Sequence, residues 1–524
     1  MRTQIHQLVS DVAAERGSAA ALSTKSETFT YDELWQQISR IAVGLSHLGL
    51  GRQDRVAVYL ETRVEAVVAA FGASAAGLVF VPINPLFRSH QVAHILSDCG
   101  ARGLVTSLER LGSLLPDLAG CETVEHVILV GEGAAMPSTG DHVLTHWDAL
   151  GAEDSGIGIT ANSHVDMDMA AILYTSGSTG KPKGVVLSHR NFIAGAESVN
   201  QYLAHGADDV LLAALPLSFD AGFSQLTTGF MAGARVVLVN YLLAGDVVAL
   251  CAEHMVTGLT GVPPLWMQLA DQSWPDEATR SLRYFANTGG SMPRATLDRL
   301  RTLFPYASPY LMYGLTEAFR STFLDPGEID ARPDSIGKAV PNSEILVVRP
   351  DGSPCDPGEE GELVHRGALV SMGYWNDQER TAERFRPTPG RPDGLCTTEL
   401  AVWSGDVVRT DEEGFIYFVG RKDEMIKTSG YRVSPTEVEE EAYSTGLVSA
   451  AIAFGVPDAR LGQHIVLAVS PAQDRALDVD ELMGQLRKRL PMYMIPKQVH
   501  VRPSIPLSPN GKLDRELVRR ELAT

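Results

Sequence analysis

The sequence predicts an α/β protein: a large N-terminal part of layered sheets and helices that ends in a small β-barrel-like region, followed by a small α+β C-terminal domain. Three observations carry this. Short Val/Ile/Leu-rich runs alternate with helix-length amphipathic segments through the first half. After Pro333 the texture changes to short strands set off by Gly and Pro. A second change falls near Gly420-Arg-Lys-Asp423, ahead of a charged helical stretch. With 524 residues and 44% hydrophobic content, the chain exceeds one ordinary core and divides into domains.

In chain order, Tyr31 to Asp98 alternates helical segments with the apolar runs Arg55-Val-Ala-Val-Tyr-Leu60 and Leu78-Val-Phe-Val-Pro-Ile83. Further strands are expected at Val127–Val130, Val210–Ala213, Arg235–Val239 and Tyr310–Tyr313, and the small, polar stretch Glu132 to His164 reads as surface loop. Ile345–Arg349, Gly361–His365 and Gly414–Val419 supply the barrel or distorted sheet, and Pro387–Gly394 is loop by its breaker content. Ser434-Pro-Thr-Glu437 combines a capping box with proline at the first helical position, opening a helix that carries Glu437, Glu439, Glu440 and Glu441. We therefore divide the chain into 1–420 and 421–524, the second unit being of about 100 residues, a normal domain size.

Composition narrows the function classes. Lys+Arg 44 against Asp+Glu 64 gives 44 − 64 = −20, which opposes non-specific attraction to nucleic acid or anionic lipid. No basic stripe marks a nucleic-acid surface. The five cysteines are scattered, with no C-x-x-C pair, so neither a disulfide framework nor a cysteine zinc site is suggested. No signal-peptide core and no charge-free run of about 20 residues is found, so a cytoplasmic protein without an integral membrane segment is expected. Homodimerisation is compatible with this composition.

The most informative motif is Tyr174-Thr-Ser-Gly-Ser-Thr-Gly-Lys-Pro-Lys-Gly184. Gly177, Gly180 and Gly184 let backbone approach an anion. Thr175, Ser176, Ser178 and Thr179 add hydroxyl donors, and Lys181 and Lys183 add positive charge. An apolar run, Met169–Tyr174, precedes the loop and another, Val185–Leu187, follows it, so it joins two strands. It is not a Walker loop: Thr175 and Pro182 stand where that pattern needs a glycine and a hydroxyl, and no helix follows. By itself the stretch also reads as a Gly/Ser turn of a hairpin.

Four more segments change that balance: Tyr313-Gly-Leu-Thr-Glu317, Ser404-Gly-Asp406, Gly420-Arg-Lys-Asp-Glu-Met-Ile-Lys427 with Gly430-Tyr-Arg432, and Asn510-Gly-Lys512. Each is weak alone. In this order and spacing, the five resemble the acyl-adenylate-forming superfamily, which comprises acyl-CoA synthetases, adenylation domains of peptide synthetases and luciferase-type enzymes. The resemblance spans most of the chain. It implies activation of a carboxylate by ATP to an acyl-AMP, release of pyrophosphate, and transfer to a thiol, either CoA or the phosphopantetheine of an acyl carrier protein. ATP and Mg²⁺ are the implied cofactors. An adenylation-only or luciferase-like oxidising enzyme, and a non-catalytic nucleotide-binding regulator, are the competing readings.

The resemblance also implies roles. Lys512, Glu317 and Thr175 are the catalytic candidates, with Lys512 approaching both carboxylate and α-phosphate and Glu317 holding Mg²⁺. Thr175, Ser176, Gly177, Ser178, Thr179, Gly180 and Lys183 would hold phosphates. Thr316 would contact the α-phosphate, Tyr313 would stack on adenine beside Gly314, and Gly289, Gly290 and Ser291 would wall the adenine pocket. Asp406, in an expected strand-end turn after Gly405, would accept from ribose hydroxyls, with Arg421 and Lys427 nearby. Asp423 matches the hinge about which the C-terminal domain rotates, and Gly430 and Arg432 lie near the thiol. Without the resemblance, these residues read as turns, surface ion pairs and solvated charges.

Leu215-Pro-Leu-Ser-Phe-Asp-Ala-Gly222 occupies the substrate-gating position, with Phe219 as the gate, Asp220 beside it and Gly314 on the same pocket. Phe219-Asp220 and Leu490-Pro-Met-Tyr-Met-Ile-Pro496 resemble peptide-synthetase domains, in which the matching aspartate binds an α-ammonium. Tyr-Gly-Leu-Thr-Glu resembles acyl-CoA ligases. Around Phe219-Asp220 and Met425–Gly430 the chain resembles stand-alone ligases of bacterial exopolysaccharide and exosortase systems. The substrate is thus a small carboxylic or amino acid. Asp220 either binds an amine or caps a helix starting near Ala221.

Overall fold

The computed structural model describes residues 2–131, 139–140, 142–151, 164–175, 182–392, 394–422, 424–428, 431–458, 461–472, 476–509 and 511–522. The first half builds a seven-stranded sheet in the order Val143–His146, His126–Val130, Gly103–Ser107, Arg55–Tyr59, Val79–Pro82, Met169–Thr175, Lys183–Ser188. Neighbours are parallel up to Met169–Thr175, which then pairs antiparallel with Lys183–Ser188. The inner strands are largely apolar because both faces are covered. Val79–Pro82, for example, is buried at every position. Part of the expected surface loop is regular: Val143–His146 forms the edge strand and Trp147–Ala149 a helical turn.

A second sheet of 14 strands begins with a parallel core. Ala20–Ser23, Arg235–Leu238, Val210–Ala213, Gly258–Gly261, Tyr284–Asn287 and Ser308–Tyr313 lie side by side in that order. Beyond Tyr313 pairing becomes antiparallel, and the short strands after Pro333 continue the same sheet edge to edge, as a distorted extension of it. Aromatic side chains bind the layers together. Phe80 of the first sheet stacks on Phe223 at 4.7 Å between centroids, and Phe192 meets Phe223 at 5.3 Å and Phe319 at 5.6 Å. Such edge and offset contacts add to the area these rings bury.

The smaller C-terminal domain has its own five-stranded sheet, in which Val448–Asp458 and Gly462–Pro471 form the long central hairpin. Helices Pro435–Tyr443 and Val479–Arg489 bury Val438, Ala442, Leu482 and Leu486 against it. Pro435 takes the first helical position as expected, but the capping box does not form, because Ser434 makes no cap hydrogen bond. Its hydroxyl instead lies towards Gly420. Strand Ile416–Arg421 still pairs in the large sheet.

Candidate active site

In open α/β sheets, ligands bind beyond the carboxyl ends of the parallel strands, and the sequence-predicted residues collect there. Thr175 ends strand Met169–Thr175, Asn287 ends Tyr284–Asn287, and Tyr313 ends Ser308–Tyr313. Of the glycine loop, Ser176, Gly177, Ser178, Thr179, Gly180 and Lys181 lie outside the described residues, as do Asp423, Gly430 and Asn510 and the side chains of Lys427 and Arg432. Gly184 is closely packed. It sits inside strand Lys183–Ser188, where a β-carbon would come within 2.6 Å of Ile172 and 3.1 Å of Tyr174. Packing by itself requires glycine there.

Lys183 and Glu317 meet on the cleft floor. Lys183 Nζ lies 3.1 Å from Glu317 Oε1 and donates to Tyr374 OH at 3.0 Å, and the phenol donates to the same Oε1 at 2.5 Å. The ammonium also stands 4.3 Å from the centre of the Tyr374 ring. Burial would raise the Glu317 pKa, but the charge of Lys183 and the Tyr374 hydrogen bond outweigh it and hold the carboxyl below its ordinary range. Tyr374 was missed in the sequence because an isolated tyrosine 57 residues from Glu317 carries no local signal.

On the opposite wall, Tyr313 OH donates to Asp406 Oδ2 at 2.5 Å, while Asp406 Oδ1 has no hydrogen-bond partner and faces Arg421 Nε at 3.6 Å. Desolvation pushes the Asp406 carboxyl up, opposed chiefly by Arg421. Asp406 does not lie in a strand-end turn. It occupies the middle of Leu400–Thr410, where Gly405 has φ +72° and the register shifts between Val407 and Val408. This bulge re-aims the side chain while pairing continues on both sides.

The C-terminal domain closes the cleft. Asn84 Nδ2 donates to Pro509 O at 2.8 Å, and Ser291 Oγ donates to Glu440 Oε1 at 3.0 Å, so Ser291 meets the C-terminal domain. Between these contacts Lys512 enters the site. Its ammonium lies 5.3 Å from the centre of the Phe219 ring, and a β-carbon on Gly289 would be 2.8 Å from Lys512 Cε. Gly289, at φ +77°, thus lets the lysine pass. Desolvation lowers the Lys512 pKa, and the negative charge of Asp220 is the largest opposing influence.

Asp220 is 4% exposed and is the first residue of helix Asp220–Ala232; Phe219, not Asp220, is the cap residue, and it makes no side-chain cap bond. Asp220 Oδ1 accepts from Ala221 N at 2.7 Å, and Oδ2 faces Arg320 at 3.9 Å. Sequence reading missed Arg320 because only the turn after Glu317 brings it here. Phe319 has φ +56°, a conformation that side-chain-bearing residues avoid, and its ring is fixed against Phe192. Arg320 therefore points inward and is 3% exposed.

Three buried polar atoms of the cleft, Thr175 Oγ1, Asn287 Oδ1 and Asp406 Oδ1, have no protein hydrogen-bond partner. Buried polar groups are ordinarily satisfied, so such a set fits a polar ligand with hydroxyls and phosphates. A lone carboxylate, Glu317, beside them fits Mg²⁺, which commonly takes one or two protein carboxylates and completes its shell from phosphates and water. Among the described residues, no group of three or more acidic, His or Cys side chains forms a metal cluster.

A fold with these open groups in its cleft and a lysine delivered by a second domain defines an ATP-dependent ligase that activates an acid as its adenylate. Comparison with known proteins agrees. The AMP-binding enzyme family matches residues 9–375, and the AMP-binding enzyme C-terminal domain matches residues 437–512. The chain belongs to this family. It is 30% identical to a long-chain-fatty-acid–CoA ligase of Salmonella typhimurium, over 98% of this chain and 94% of that one. It is 31% identical to a feruloyl-CoA synthase of an Amycolatopsis species, over 96% of each. The o-succinylbenzoate CoA synthetase MenE of Bacillus subtilis, in complex with its acyl-adenylate, superposes with a TM-score of 0.82 at 25% identity, over 98% of both chains. ATP-bound MatB of Rhodopseudomonas palustris shares the fold, with a TM-score of 0.86 at 24% identity over 100% of this chain and 99% of that one. No described helix is long and apolar enough to cross a membrane.

Proposed function

We propose that the cleft activates a small carboxylic acid with ATP and passes the acyl group to the thiol of CoA or of carrier-protein phosphopantetheine. The observation that carries this is Lys512, held between Gly289, Phe219 and Asp220 by a domain that touches the large one through Asn84 and Ser291.

Carboxylate attack on the α-phosphorus brings anions together, so positive charge set in place beforehand lowers the barrier. Lys512 supplies it where the acid, gated by Phe219, meets the phosphate. Thr175 and Thr316, with Ser176 to Gly180 and Lys183, bind phosphate oxygens, and Gly314 leaves room for the acid. Tyr313, Gly289 and Gly290 flank the base, and the open oxygen of Asp406 accepts from ribose with Arg421 and Lys427 alongside. Mg²⁺, when bound, neutralises phosphate charge, and Glu317 is the residue that would hold it. Asp423 is the proposed hinge, and its rotation would withdraw Lys512 and bring Gly430 and Arg432 to the thiol.

A reading in which Asp220 binds the α-ammonium of an amino acid is less well supported, because Arg320 already stands 3.9 Å from that carboxylate. The test of the main reading is Lys512→Ala. ATP–pyrophosphate exchange should fall by roughly two to three orders of magnitude, the scale of one lost transition-state contact, while transfer from preformed acyl-AMP survives. Equal loss of both half-reactions overturns it.

A further inference from the structure

A cavity with about 350 Å³ of empty space, its open mouth included, is lined by Ala221 and by Arg320, the partner of Asp220. Helix Asp220–Ala232 supplies Ser224, Gln225 and Thr228 to its wall, Arg320 stands at the near end, and His205 and Tyr284 stand at the far end. So small an enclosed space suits a short substituent and not a long acyl chain.

The wall mixes polar side chains with Val199, Leu203, Leu211, Leu212 and Met312, and the hydrogen bonding of its polar part is incomplete. Arg320 Nε and Gln225 Oε1 are buried without partners, and both residues line the cavity. Gln225 is oriented by its amide nitrogen, which donates to Gly222 O at 3.0 Å and leaves the oxygen inward. Thr228 Oγ1 donates to Ser224 O at 2.7 Å, so towards a ligand it can only accept. At the far end, Asn200 Nδ2 donates to Thr228 O at 3.2 Å, which makes Asn200 Oδ1 the acceptor from His205 Nδ1 at 2.7 Å. Burial depresses the His205 pKa to about 4, so the ring is neutral and its Nε2 accepts from Tyr284 OH at 2.9 Å. Tyr284 then offers a ligand only lone pairs.

Near donor, middle and far acceptors, and a 3.9 Å Arg320–Asp220 pair that already balances charge together select an uncharged group that both donates and accepts. Apolar contents would leave Arg320 Nε and Gln225 Oε1 unsatisfied in a dry wall, which is costly at each atom. A second ammonium would face Arg320, and a second carboxylate would face Asp220.

We infer that the acid activated here is short and carries an uncharged hydroxyl or carboxamide substituent, which Gln225 and Arg320 recognise. This rests on the ligase reading above. The test is ATP–pyrophosphate exchange by the full-length enzyme with 3-hydroxybutyrate, 4-hydroxybutyrate and succinamate, against butyrate, palmitate, β-alanine and succinate. At least one hydroxy or amide acid should exceed every comparison acid by tenfold or more in kcat/KM. Gln225→Leu should cut that ratio to butyrate by tenfold or more, through loss on the polar acid. Preference for butyrate or palmitate overturns the inference, as does preference for β-alanine, which would assign Asp220 to an ammonium, or for succinate, which would assign Arg320 to a carboxylate. An unchanged ratio in Gln225→Leu also overturns it. In all these cases exchange itself upholds the ligase reading; exchange with none of the acids overturns both.

Discussion

Lys512 of the C-terminal domain passes so near Gly289 of the large domain that a β-carbon at 289 would lie 2.8 Å from Lys512 Cε. Gly289 also has φ +77°, so a side chain there strains the backbone whatever the lysine does. Gly289→Ala should therefore slow adenylation by tenfold or more while transfer from preformed acyl-AMP stays within about twofold. Half-reaction assays check this, and equal slowing of the two would remove Gly289 from the path of the lysine.

The pH profile of adenylation should carry the signature of Lys512. Desolvation lowers its pKa from 10.5, and the Asp220 carboxylate, which favours the charged ammonium, opposes this. Only the protonated form stabilises the transition state, so exchange should fall on an alkaline limb below 10.5. Asp220→Asn removes the supporting charge and should move the limb to lower pH. A limb that stays in place in Asp220→Asn, or that appears equally in the transfer step, contradicts the assignment.

Tyr374 fixes Glu317 Oε1 through a 2.5 Å hydrogen bond and shares Lys183 with it. Tyr374→Phe keeps the ring beneath the ammonium but removes the hydroxyl. The expected result is a several-fold rise in the Mg²⁺ concentration giving half-maximal exchange, with the KM of the acid unchanged. Titration with Mg²⁺ at saturating acid reads this directly, and an altered acid KM with unaltered Mg²⁺ dependence would place Tyr374 with the acyl cavity instead.

Arg515, three residues after Lys512, pairs through both terminal nitrogens with the two oxygens of the buried Glu439, which also accepts from Ala453 N at 2.7 Å. The pair ties the segment carrying Lys512 to helix Pro435–Tyr443. Breaking a buried pair from one side leaves a stranded charge and costs about 3 to 5 kcal/mol, nearer the lower figure here because the guanidinium is partly exposed. Arg515→Ala should lower the denaturant midpoint of the full chain and reduce exchange more than transfer. Arg515→Lys should recover part of the stability but little of the geometry, since an ammonium cannot make the forked contact.

Much of the fold was legible because its signals are local. Val79–Pro82 and Met169–Thr175 are apolar runs with no alternation, as strands covered on both faces must be. The order of the nucleotide motifs likewise survives in the linear text, which is how Thr175, Glu317, Asp406 and Lys512 could be named before their positions were known. Local patterns misled where burial competed. Ser434 carries a capping-box signature but makes no cap bond and turns its hydroxyl towards Gly420.

The sequence by itself determined the α/β class and the presence of a small C-terminal domain, because strand periodicity and turn residues are properties of neighbours along the chain, and the resemblance carried by its ordered motifs implied the reaction chemistry. Only the tertiary structure decided which distant side chains meet in the cleft and in the cavity beside it. Tyr374 reaches Glu317 across 57 residues, Arg320 reaches Asp220 across a strained turn, and Tyr284 reaches His205 across 79 residues. Those partners are chosen by how two sheets and their helices pack, and a desolvated polar contact has its strength only where packing excludes water.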